Sequence, residues 1–249
     1  MEDTMRTNIV AEKVIINGTD LYYEHITGST DKLTIVFESG YGWDLNNWNP
    51  IKDEVSKFAN VFMYDRDGVG KSAKSNKPKH SIQIIENLRG LLQKLDIKPP
   101  YVLIGHSFGG LNVRLYASKY PKEVVGVILL DSVHEDQNKK MISFFNKKIQ
   151  EEYLGQFTVE ASLSEFEESL EQVRCTSLGN MPLIVMTGGT QLHHTTDSMT
   201  VWMEFQRELA NLSSNSTHLI VKEAGHAIHI DHPQPVIKAI IKMMEILIV

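Results

Sequence analysis

A serine held on a sharp turn between glycines, served by a histidine and an aspartate elsewhere in the chain, can attack an acyl carbon. The sequence contains these parts. The stretch "YVLIGHSFGGLNVRLY" sets Gly105-His106-Ser107-Phe108-Gly109 between a strand-like run and a helical one. A serine on such a turn sits in strained backbone and is projected at the start of a helix, whose dipole favours developing negative charge. Its hydroxyl is a weak nucleophile until a base takes the proton, and histidine has the pKa for that task near neutrality. "KEAGHAIHIDHPQPV" offers His226, His229 and His232. His226 follows Gly225 directly after a β-rich run, at the strand edge where Ser107 also lies, and is the expected general base. His229 is expected to line the pocket wall or to bond locally, and His232, beside Pro233, to be exposed. No zinc-type spacing such as H-E-x-x-H links them, so no metal is expected. His193-His194, in a polar loop, read as solvated.

The elements that must position these residues follow from periodicity. "KVIIN" and "DLYYEHI", joined at Gly18, read as a hairpin, and "KLTIVFES", "NVFMYD", "YVLIG", "EVVGVILLD", "PLIVM" and "THLIV" as further strands. Between them "WNPIKDEVSKFA", "SIQIIENLRGLLQKLDI", "SFGGLNVRLYASKYP" and "VWMEFQRELANLS" carry apolar residues at helical spacing. Strand and helix in alternation imply parallel pairing through right-handed crossovers, and runs as apolar as "VVGVILL" suit strands covered on both faces. The fold class is α/β with a central, mostly parallel sheet flanked by helices. One domain spanning 1–249 is expected, with residues 134–180, helical in pattern and rich in charge, inserted as a cap over the strand ends. Most of that charge reads as a solvated face.

Composition narrows the partners. Of 249 residues, 42% are hydrophobic and 22% charged, and 25 Lys+Arg against 31 Asp+Glu give a net charge of −6, so nucleic acid and anionic lipid are disfavoured. Cys175, the single cysteine, allows no intramolecular disulfide, and "MEDTMRTNIVAEK" carries charges where a signal peptide is apolar; a cytoplasmic setting is expected. The apolar C-terminal run 236–249 is interrupted by Lys238, Lys242 and Glu245 along one stripe, which makes it an amphipathic helix and not a membrane span.

Taken together, the motifs resemble the α/β-hydrolase fold over essentially the whole chain. Besides the elbow at Ser107, "ESGYGWDLNNW" is similar to the family's oxyanion loop, with Glu38-Ser39 where many members have a His-Gly pair. "YDRDGVGKS" resembles its D-R-x-G-x-G-x-S segment, and "AGHAIHIDHPQPV" its terminal G-H segment. The resemblance implies Ser107 as nucleophile, His226 as base, and the backbone N–H groups of Phe108 and Tyr41 as oxyanion donors, with no cofactor. For the orienting acid it implies two candidates. Asp131 ends the strand "EVVGVILLD", as in some lipase-like members, and Asp197 lies in the loop after "PLIVMTGG", where most members place theirs; Asp131 is slightly favoured. Asp44, Asp65 and Asp67 read as loop-holding residues, and Asp136 lies close behind Asp131. The expected substrate is a small to medium carboxylic ester. An aminopeptidase or amidase, whose ammonium-binding acids "SLSEFEESLEQ" could supply, and a non-catalytic ligand-binding protein are the alternatives. Aspartate-nucleophile relatives such as dehalogenases and epoxide hydrolases are disfavoured by Ser107.

Overall fold

Tyr101–His106 and Leu183–Gly188 are buried at every position because both of their faces are covered. The computed structural model of the protein describes residues 8–27, 33–192 and 194–248 and gathers these runs into an eight-stranded sheet. Strands β1 (Asn8–Ile16) and β2 (Thr19–Thr27) form the expected hairpin, and the turn between them places Asn17 and Gly18 both at positive φ. They are followed by β3 (Thr34–Glu38), β4 (Asn60–Tyr64), β5 (Tyr101–His106), β6 (Val124–Leu130), β7 (Leu183–Gly188) and β8 (Ser216–Val221). The spatial order is β1-β2-β4-β3-β5-β6-β7-β8. β1 and β2 run antiparallel to each other, β2 runs antiparallel to β4, and every pairing from β4 to β8 is parallel.

Alternate residues of each strand face opposite layers, as the pleat requires. Val36, Leu103, Leu129 and Val185 pack beneath α2 (Ser81–Lys94) and α3 (Phe108–Lys119). Phe37, Ile104, Ile128 and Ile184 pack on the other face against α1 (Asn49–Val55) and α9 (Pro233–Ile248), which follows the short α8 (Ile228–Asp231). Pro50 sits in the first turn of α1, where its missing N–H leaves no bond unmade. In α9 the buried positions are Val236, Ile237, Ala239, Ile240 and Met243, while Lys238, Lys242 and Glu245 are exposed, so the C-terminal run is an amphipathic helix of the core. Among the described residues no helix is long and apolar enough to cross a membrane.

Residues 134–180 hold α4 (Gln137–Lys140), a 3-10 turn at Ile142–Phe144, α5 (Lys147–Gly155) and α6 (Leu163–Val173), with no named strand. Ser162 and Glu165 form a capping box at the start of α6. Phe166, Leu170 and Val173 are buried and Glu167 and Glu168 exposed, so the acids of "SLSEFEESLEQ" are chiefly helix surface and caps. Helix α7 (Thr196–Ala210) begins earlier than the apolar pattern suggests, because Thr195 and Ser198 cap each other and recruit the polar residues before Val201. Trp202 and Phe205 of α7 meet Met141 and Phe145 in a small separate cluster that seats the inserted segment.

Candidate active site

All the parallel strands end at one edge of the sheet, and the segments leaving that edge converge. In open α/β sheets this is where ligands bind. Ser107 follows β5 directly and caps α3 with φ 53 and ψ −118, a left-handed conformation that costs a non-glycine residue on the order of 1–3 kcal/mol. The glycines on either side make this turn feasible. A Cβ on Gly105 would lie 2.5 Å from the carbonyl oxygen of Gly109, and one on Gly109 would lie 2.1 Å from that of Glu38. The elbow is therefore packed backbone against backbone, and Phe108 opens the helix, where the first N–H groups have no intrahelical acceptor.

Asp131 follows β6 and, like Ser107, has a positive φ, 45°. Its carboxylate is fully buried and receives four donors. His226 Nδ1 lies 2.6 Å from Oδ2, Gln191 Nε2 donates to Oδ2 at 2.5 Å, and Oδ1 accepts from Trp202 Nε1 at 3.1 Å and from the Gly188 N–H at 3.0 Å. Because a carboxylate only accepts, the neutral imidazole of His226 in this pairing carries its proton on Nδ1 and turns an unprotonated Nε2 away from Asp131. Asp197, the other candidate acid, is exposed in the first turn of α7, while the Nδ1 of His226 is taken by Asp131. Asp136 is tied instead to Lys140 and Arg174, whose hydrogen bonds hold its carboxyl down at about 2.

The other histidines take separate positions. His106, fully buried, donates through Nε2 to the carbonyl of His226 at 3.0 Å, and burial holds its pKa well below the ordinary value. His229 is neither on the cavity wall nor locally bonded. It is fully buried, stacks on Trp48 with ring centroids 4.3 Å apart, and shares a 2.8 Å hydrogen bond with Asn47 Oδ1 from the far end of the chain. Burial pushes its pKa down to about 3. His232 is half-buried and reaches the carbonyl of Glu223 at 3.2 Å. His194 is half-buried on the cavity wall, its ring 5.3 Å from that of Phe145, while His193 lies outside the described residues. Among the described residues no three His, Cys, Asp or Glu side chains are grouped to hold a metal ion.

A cavity of about 530 Å³ opens between the sheet edge and the inserted helices, with Ser107 and His226 in its wall. Most of its remaining lining is apolar, including Phe108, Phe145, Phe157, Phe166 and Trp202, and Tyr41 also borders it. Glu38, where the sequence departs from the His-Gly pair, is fully buried and receives Arg66 Nη1 at 2.8 Å. Burial raises the Glu38 pKa against the pull of Arg66, and the Arg66 pKa, though opposed by its own burial, is raised by Glu160 and Glu38. Asp44 caps the 3-10 turn that follows, Asp65 accepts from the N–H groups of Leu45 and Lys71, and Asp67 holds Ser75 and Lys79. These three acids hold loops. Glu160, which the sequence did not single out, meets Arg66 from the inserted segment.

Known proteins share this architecture. The uncharacterized protein YqjL of Bacillus subtilis (strain 168) is 31% identical over 238 residues, covering 95% of this chain and 92% of that one. A putative lipase from Acinetobacter baumannii superposes with a TM-score of 0.69 at 18% identity, over 95% of this chain and 91% of that one. The enol-lactonase from Burkholderia xenovorans gives 0.68 at 19% identity, over 94% and 99%. These two likenesses concern the fold. The family model described as alpha/beta hydrolase fold matches residues 34–163, from β3 through the elbow and into the inserted helices. With a family match across just over half its length, the chain belongs to the α/β-hydrolase-fold family.

Proposed function

We propose that the protein is a serine hydrolase that cleaves a small to medium carboxylic ester through an acyl-enzyme. The observation that carries this reading is the 2.6 Å contact between Asp131 and His226 beside a cavity that Ser107 also lines. His226 Nε2 takes the Ser107 proton as Oγ attacks the ester carbonyl. The resulting oxyanion is received by the N–H groups of Phe108 and Tyr41, an interaction whose loss typically costs about 3 kcal/mol in the transition state. Collapse breaks the C–O bond, and the proton on His226 passes to the departing alcohol. Water, deprotonated in turn by His226, then attacks the acyl-enzyme and returns Ser107 with release of the acid. Asp131 holds the imidazole in the tautomer that leaves Nε2 free and stabilises the imidazolium in each half-reaction. The aromatic wall suits an apolar acyl or alkyl group. A fluorophosphonate probe is expected to label Ser107, a p-nitrophenyl ester of short or medium chain to be turned over, and Ser107→Ala to lose both. A folded wild type that is neither labelled nor active overturns the reading and leaves a ligand-binding protein of this fold.

A further inference from the structure

Resting on the serine-hydrolase reading, we propose that Glu160 is a positioning residue for the oxyanion hole, holding the loop that carries the Tyr41 N–H from the inserted segment above it. Glu160 lies between α5 and α6, far in sequence from that loop, yet its side chain is only 1% exposed. Its Oε1 accepts from Arg66 Nε at 2.5 Å and its Oε2 from Arg66 Nη2 at 2.9 Å, a two-pronged pairing that fixes the plane of the guanidinium. The other side of that plane reaches the loop: Nη1 donates to the Ser39 carbonyl at 2.6 Å and Nη2 to the Gly40 carbonyl at 2.6 Å.

The Gly40 carbonyl and the Tyr41 N–H belong to one rigid peptide plane, so holding the carbonyl aims the N–H in the opposite direction. The next N–H, that of Gly42, donates directly to Glu160 Oε2 at 2.9 Å. The Tyr41 ring is tied to the same segment, its hydroxyl donating to the Ala161 carbonyl at 2.5 Å and accepting from the Glu160 N–H at 3.1 Å. The oxyanion donor is thus bracketed by peptide groups that answer to one buried carboxylate. A serine nucleophile without an aligned donor still binds substrate but stabilises the tetrahedral intermediate poorly.

The test compares wild type with Glu160→Gln and with Tyr41→Phe, which keeps the Tyr41 N–H but cuts both hydroxyl ties. The readouts are steady-state kinetics on a p-nitrophenyl ester and inhibition by a trifluoromethyl ketone, whose hemiketal places an anionic oxygen in the hole. Glu160→Gln keeps the shape but turns an amide NH2 toward Arg66 or Gly42. Its kcat is expected to fall about 10- to 100-fold with KM within about twofold, and the inhibition constant of the ketone to rise by the same factor as kcat/KM falls. Tyr41→Phe is expected to follow the same pattern with a smaller, about 3- to 10-fold, loss. Variants that fold and match wild type in kcat and in ketone affinity, or that lose only KM, overturn the role of Glu160 while the serine-hydrolase reading stands. If Glu160→Gln does not fold, Glu160→Asp takes its place, since it keeps the charge but is too short to hold Arg66 and the Gly42 N–H together; unchanged kcat and ketone affinity in it overturn the role. A wild type inert toward both ester and ketone overturns the catalytic reading and this inference with it.

Discussion

His226 Nδ1 lies 2.6 Å from Asp131 Oδ2, joining a half-exposed imidazole after β8 to a wholly buried carboxylate after β6. Asp131→Asn keeps the volume but offers His226 an amide that can impose the wrong tautomer. Kinetics on an activated ester are expected to show kcat lowered by about 10³- to 10⁴-fold with KM little changed. Asp197→Asn, altering an exposed residue, is expected to leave both constants at wild-type values. Equal, mild effects of the two substitutions would falsify Asp131 as the orienting acid.

His106 anchors the loop that carries His226, since its Nε2–H meets the His226 carbonyl 120 residues away in sequence. In His106→Leu that carbonyl is left without its partner. Denaturant unfolding is expected to register a loss of about 1–3 kcal/mol, and kcat to fall about tenfold as His226 loses its fixed place in the cavity wall that Ser107 shares.

Stability should decline on acidification before the carboxylates titrate. His106 and His229 stay neutral in the fold, the latter down to about 3, whereas an unfolded chain protonates both below about 6.5. The unfolded state therefore binds more protons below that value. The stabilisation these two residues confer is complete above about pH 6.5 and is lost as pH falls, at about 1.4 kcal/mol per residue per pH unit. Thermal unfolding followed from pH 7.5 to 5.5 should show this slope, and His229→Gln should flatten it. An unfolding temperature that rises over the same interval contradicts the assignment.

Arg66 sits between two carboxylates in a space that admits almost no solvent, with side chains 3% exposed for Arg66, 0% for Glu38 and 1% for Glu160. Arg66→Met strands both acids. Calorimetry at neutral pH is expected to show a loss of about 3–5 kcal/mol, or about 10 °C in Tm. The deficit should shrink in mild acid, where Glu38, whose pKa burial already raises, takes up a proton; a deficit that grows on acidification counts against the pairing.

The sheet was legible because its strands are uninterrupted apolar runs and its helices keep their period, and the Asn17-Gly18 hairpin was marked at Gly18. The elbow was legible for the same reason, being a short motif whose parts are adjacent. The pairing of His226 with an acid was not. Asp131 and Asp197 both leave strands at the same edge, and only the path of the chain after β7, which turns polar residues into the start of α7, carries Asp197 to the surface. Glu160 was hidden for another reason. It lies in a charge-rich segment where an acid ordinarily faces water, and its partner is 94 residues away. The substitution of Glu38 for the usual His-Gly pair was visible, but its meaning depended on that same distant contact. The spacing of His229 suggests the pocket wall or a local bond; stacking on Trp48 takes it into the interior instead.

Gly105 and Gly109 press on neighbouring backbone at distances no side chain could share. They serve the joint between strand and helix whether or not a serine stands between them. A descendant of this chain that lost Ser107 and turned to carrying ligands would still need both. On the serine-hydrolase reading the glycines mark the fold and the buried carboxylate beside His226 marks the chemistry, so among sequences with this pattern it is the second mark that should separate enzymes from ligand carriers.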